Sequence, residues 1–139
     1  MPATTAAESV PAPLRSPITT CIIAWLVPGA GHFFVGRKGR AAIVFATVAA
    51  CFGVGLLMNG PFFAPTSGGD LLSRLIQYGG FIGDLANGLF YLLASWLGYG
   101  PPQSAGHNAD YGSKFLVCAG LLNILAMVDA YEIATRQKE

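Results

Sequence analysis

The chain has 139 residues and a formal net charge of +1, and 11% of its residues are charged, where soluble proteins carry roughly 25%. Mean hydropathy is +0.54, and a soluble domain this small has too much surface to cover with so little charge. The near-neutral balance excludes the basic face of a nucleic-acid-binding protein.

The distribution of charge points further. Asp, Glu, Lys and Arg are missing from 16–36, 41–69 and 85–109, runs of 21, 29 and 25 residues, and a helix needs roughly 20 apolar residues to cross a hydrocarbon core of about 30 Å. The expectation is an all-α integral membrane helical bundle with about four transmembrane helices, or three plus an interfacial helix, and with the lipid bilayer as its first partner.

In chain order, residues 1–17 are rich in Ala, Thr, Ser and Pro and read as a disordered tail; 18–139 reads as a single transmembrane domain. The first span, about 18–36, runs from Ile18 through Leu26 into Pro28 and Gly29, where a missing backbone donor and relaxed geometry predict a kink or break. It looks like a retained span rather than a secretory signal, because no basic segment precedes it. Ile18-Thr19-Thr20-Cys21 only faintly resembles a lipoprotein cleavage site, since the apolar stretch follows the cysteine. Arg37-Lys38-Gly39-Arg40 makes a basic turn, and a second span at 41–58 completes an antiparallel hairpin. Asn59 to Gly69, with Phe62 and Phe63, suits a loop at the headgroups, and Asp70 can cap the helix that follows. The third span, about 75–98, ends in Trp96 and Tyr99, as an interfacial belt would. A polar loop, Gly100 to Ser113, holds His107 and Asp110. The fourth span, 115–134, is the weakest: it is charge-free only over 115–128, about 21 Å of helix.

With four spans the basic residues divide evenly, four to each side. Their density in the turn Arg37–Arg40 favours a cytoplasmic tip in an inner (plasma) membrane. Cys21, Cys51 and Cys118 lie in apolar runs without metal-ligand or disulfide spacing, so no metal, cofactor or disulfide framework is expected.

The stretch Pro28-Gly29-Ala30-Gly31-His32-Phe33-Phe34-Val35-Gly36-Arg37, with Lys38-Gly39-Arg40 after it, resembles the TM-two domain, a transmembrane hairpin whose first helix ends in a Gly-x-Gly-His-like pattern before a basic turn. It looks closer still to uncharacterised bacterial multi-span membrane families that share this hairpin. The resemblance covers about residues 18–58 and implies architecture rather than chemistry. Phe34 stands where tyrosine is usual, and the acidic residue common in the TM-two turn is absent.

Two candidate sites emerge. The hairpin motif (Pro28, Gly29, Gly31, His32, Phe33, Gly36 and Arg37) contains one ionisable side chain of the first span, His32. That histidine reads either as a proton or ligand site facing a partner or, favoured by its distance of five residues from Arg37, as an interfacial anchor. Asp84 lies mid-span, where insertion costs roughly 2.5–3.5 kcal/mol. Helical spacing sets Gly80, Asp84, Asn87, Tyr91 and Ser95 on one stripe, and Asn123 would complete a polar cluster. The bland reading, interhelical hydrogen bonding on a small-residue face, outweighs a proton- or ion-responsive site.

Catalysis is not expected. Gly80-Phe81-Ile82-Gly83-Asp84 approaches the Gly-x-Gly-Asp pattern of intramembrane aspartyl proteases with the glycine spacing off by one, and the only other candidate Asp, Asp129, sits at a helix end. Ser95 or Ser113 with His107 lacks a nucleophile-elbow pattern. The functional expectation is a non-enzymatic structural or interaction role through glycine-rich helix packing, with another copy or another membrane protein as partner. The competing expectation is a small transporter or proton/ion-responsive protein using Asp84.

Overall fold

A computed structural model describes residues 16–65, 67–99 and 106–135. They form α1 (Pro17–Leu26), α2 (Ala30–Phe34), α3 (Lys38–Leu57), α4 (Leu71–Leu85), α5 (Leu89–Trp96) and α6 (His107–Ala134). The described residues contain no strand. The expected N-terminal tail, but for Ser16 and Pro17, and the Pro101-Pro102 part of the third loop lie outside the described residues.

The first helix begins with Pro17 at its first turn, where a missing N–H costs nothing. It stops at Leu26 because Val27 is extended, as a residue before proline prefers. Gly29 then takes φ +83° beside the Ala41 carbonyl, a conformation and a closeness that no side chain permits. The chain turns back: α2 lies along α1, with Gly31 wedged against the Ala24 side chain and the Thr20 carbonyl. The expected kink is therefore a full reversal, and 18–36 is two helices rather than one span.

The expected third span, 75–98, is also two helices. At its break Ala86 and Asn87 form a turn and Gly88 has φ +59°, packed so tightly on the Trp25 carbonyl that a Cβ there would overlap it. Its return arm carries Tyr99 back to the carbonyls of Leu56 and Gly60, which its hydroxyl reaches at 3.4 and 3.1 Å.

Two long helices frame these hairpins. Antiparallel α3 and α6 meet through Gly55 on Leu116 and Gly112 at one end and through Arg40 and Asp129 at the other. By length and composition both can cross a membrane; they measure about 30 and 42 Å. The segment read as weakest is thus the longest and most central, because the helix starts at His107 and runs on through Asp129 and Glu132. His107 and Asp110 lie in its first turns rather than in a loop.

The order broken hairpin, long helix occurs twice with opposite direction. The first hairpin enters from the Asp129 end of α6 and turns near Asn123, which bonds the Trp25 carbonyl. The second enters from the Gly112 end and turns at the same place, where Asn123 also bonds the Ala86 carbonyl. The two reversals touch: Trp25 Nε1 donates to the Leu85 carbonyl at 3.1 Å.

Burial is inverted relative to a soluble domain. Thr20, His32, Asp84, Asn87 and Asn123 are at most 1% exposed, while Leu57, Leu71 and Ile43 are 84%, 85% and 69% exposed. In the 59–65 segment Gly60 is buried and the half-buried Phe62 packs on Phe52, Tyr91 and Tyr99. Asp70 stands at the N-cap of α4, as expected, and its carboxylate accepts from the Ser73 hydroxyl.

Close backbone approach gives a direct test. A Cβ on Gly120 would overlap the Gly83 carbonyl, whereas Gly53 faces open space. In detergent-solubilised protein, Gly120→Ala is expected to lose at least the 1–3 kcal/mol typical of overpacking. Gly53→Ala is expected to be neutral or to gain up to about 1 kcal/mol. Thermal unfolding of the two variants checks the contrast.

Candidate functional site

Two polar clusters lie inside the bundle. At the meeting of the two reversals, Asp84 is 0% exposed; its Oδ2 accepts from the Phe63 backbone N–H at 2.7 Å, and its Oδ1 has no partner. No ion pair to Asp84 forms among the described residues. The Asn87 amide donates to the Asp84 carbonyl at 3.2 Å and across to the Leu116 carbonyl at 3.0 Å. The Asn123 amide donates to the Trp25 and Ala86 carbonyls at 3.2 and 2.9 Å. These are last-turn carbonyls of α1 and α4, which have no acceptor role left within their own helices.

The expected stripe is partly realised. Asp84, Asn87 and Asn123 are buried together at the junction, but the break at 86–88 ends the helical register. Tyr91 is half-buried against Phe62, with ring centroids 4.9 Å apart, and Ser95 is exposed. The side-chain oxygens of Asn87 and Asn123 are buried without partners.

The second cluster was not legible as a cluster. His32, on α2, is 1% exposed, and with a carboxylate as acceptor its Nε2 donates to Asp129 Oδ2 at 2.7 Å. Arg40 Nη1 donates to the same oxygen at 3.1 Å. His32 Nδ1 is buried and unpartnered. His32 is thus buried and paired with Asp129 across the bundle, while the Arg37 N–H donates to the His32 carbonyl at 2.8 Å. The rest of the motif builds this geometry. Pro28 and Gly29 make the reversal, Gly31 lets α2 approach α1 and Ala130, and Phe33 lies outside under Lys38 Nζ, 5.8 Å from its ring. Gly36 and Arg37 are exposed in the turn.

Asp129, expected only at a helix end, directly follows the charge-free run 115–128, six residues after Asn123, and that boundary is the signal the sequence carries.

Between α3 and α6, this cluster closes one end of an open cleft of about 350 Å³. Its other walls are apolar, among them Ile43, Leu122 and Leu125. Arg40 shares the Asp129 carboxylate with His32 and, 45% exposed, keeps donors that can meet an anion. Among the described residues no group of three His, Cys, Asp or Glu could hold a metal ion.

Asp129→Ala leaves the His32 Nε2–H buried without an acceptor and is expected to cost about 1–3 kcal/mol. Arg40→Gln removes a half-exposed pair and is expected to cost under about 1 kcal/mol. Chemical or thermal unfolding in one detergent ranks the two.

A family model described as "Family of unknown function (DUF6677)" matches residues 19–139. No curated protein and no solved structure matches the chain.

Proposed function

The chain belongs to that family of unknown function, and we propose that it is a non-enzymatic integral protein of an inner (plasma) membrane, acting through helix packing and interaction. In this reading α3 and α6 are the two full spans, and α1/α2 and α4/α5 are re-entrant hairpins that turn back near mid-depth. The large exposed apolar side chains support residence in lipid. The reversals fit this setting, since irregular backbone at membrane depth is tolerated where protein buries it.

This arrangement changes the charge count that was tied for four spans. The tip residues Arg37, Lys38 and Arg40 share a side with Ser16 and Thr135, where the flanks bearing Arg15, Arg136 and Lys138 attach. Arg74 and Lys114 lie toward the other side. Six basic residues against two favour a cytoplasmic tip.

The observation carrying the packing role is that Asn87 and Asn123 spend their amide donors on backbone carbonyls of neighbouring helices. They hold the fold rather than face a substrate path. Exposed apolar faces then remain for another copy or another membrane protein. Asn123→Ala is expected to lower membrane abundance and thermal stability by leaving two carbonyls unsatisfied, about 1–3 kcal/mol; unchanged abundance and stability would count against the packing role.

A second reading, a proton- or ion-responsive centre, is favoured by one feature: Asp84 keeps an unpartnered carboxylate oxygen where two broken helices meet, the place at which broken-helix transporters bind their ions. Ion or proton flux into liposomes, measured for the wild type and Asp84→Asn, separates the readings. The packing account expects no flux in either; flux abolished by Asp84→Asn would establish the second.

A further inference from the structure

We propose that the cleft between α3 and α6 is a binding site for an anionic phospholipid. The phosphate would sit at Arg40 and the start of α3, and an acyl chain would lie along Ile43, Leu122 and Leu125. The inference rests on the membrane reading above and goes beyond it by naming an occupant.

Four observations converge on this place. The cleft is amphipathic along its length: His32, Arg40 and Asp129 close one end, and apolar side chains from both long helices form the remainder. Its apolar part extends from the level of Asp129 to that of Leu122, about 10 Å of helix rise. Ile43 and Leu125 are 69% and 66% exposed, so the trough is open to the surrounding lipid along one side.

The polar end is built for an anion. Arg40 engages Asp129 through Nη1 yet stays half exposed, and a guanidinium has donors to spare for a phosphate. The N-terminus of α3 adds free N–H groups and the positive end of its dipole: no side chain caps it, and Gly39 has open space around it. The charge agrees. Arg37, Lys38 and Arg40 against Asp129 and Glu132 leave this end net positive among the described residues.

His32 lines the cleft beside Arg40 and its Nε2–H is taken up by Asp129, so the donors left for an anion at this end are those of Arg40 and the start of α3. Basic pockets between spanning helices on the cytoplasmic side are where anionic headgroups are recognised.

The test is native mass spectrometry of the full chain released from detergent after equilibration with phosphatidylglycerol, phosphatidylcholine or inorganic phosphate alone. The expected result is retention of phosphatidylglycerol at least tenfold above phosphatidylcholine. Arg40→Gln should remove that preference, and Ile43→Trp, which fills the trough without touching a charge, should reduce total lipid retained. Equal retention of the two lipids by the wild type overturns the proposal, as does a phosphatidylglycerol preference that both variants keep. Tight retention of inorganic phosphate alone also overturns it, assigning the basic end to a free anion. If Ile43→Trp instead breaks an oligomer and leaves lipid retention intact, the cleft belongs to a second copy and the lipid site fails. Extraction of the protein from membranes without detergent would defeat the membrane reading itself, an outcome distinct from lost lipid preference in a detergent-extracted protein.

Discussion

A helix that stops inside a bundle leaves carbonyl oxygens with nothing to accept from, and this fold contains two such ends facing each other. One side-chain amide, that of Asn123, answers both by donating to Trp25 and Ala86. The indole of Trp25 adds a second donor to the neighbouring Leu85 carbonyl, which also accepts from the Gly88 N–H. A buried group left unsatisfied costs on the order of 1–3 kcal/mol, so the reversals are favoured where these donors stand. Just beyond α3, the Tyr99 hydroxyl reaches the Gly60 carbonyl at 3.1 Å and lies 3.4 Å from that of Leu56, which also accepts from the Asn59 N–H. The burial of the Asn123 amide is thus the counterpart of the two broken helices.

Glycine makes that solution sterically feasible. Asn123 can reach both ends because α4 lies against α6 at Gly83 and Gly120, with no side chain between backbones. Gly29 and Gly88 turn the chain at the two breaks through positive φ angles. Gly31 then brings α2 close enough to α6 for His32 to meet Asp129, a pair 97 positions apart in sequence. Packing and polar satisfaction are thus one constraint: a methyl group at Gly120 would push apart the backbones whose carbonyls Asn123 serves.

This explains which parts of the fold could be read from sequence. Helicity and membrane-length apolar runs are local properties, and the Pro28-Gly29 break announces itself through a residue that cannot donate. The second break did not, although Asn87-Gly88 is a turn dipeptide; set in a long apolar run, it passed as part of a polar stripe on a continuous helix. Asp84, Asn87 and Asn123 do gather at the junction, because their burial depends on small neighbours visible in the sequence. Tyr91 and Ser95 do not, because the register that grouped them ends at Gly88. The His32–Asp129–Arg40 centre joins three elements, and no local pattern reports such a meeting.

The central claim is that neither broken hairpin crosses the membrane, so that Ser16 and the basic tip lie on the same face, whereas four continuous spans would put them on opposite faces. Single cysteines introduced as Ser16→Cys, Gly39→Cys, Ser67→Cys and Gly106→Cys, after replacement of Cys21, Cys51 and Cys118, can be labelled in oriented vesicles with a membrane-impermeant thiol reagent. The account predicts that positions 16 and 39 label from one face and positions 67 and 106 from the other. Labelling of 16 and 39 from opposite faces would contradict it.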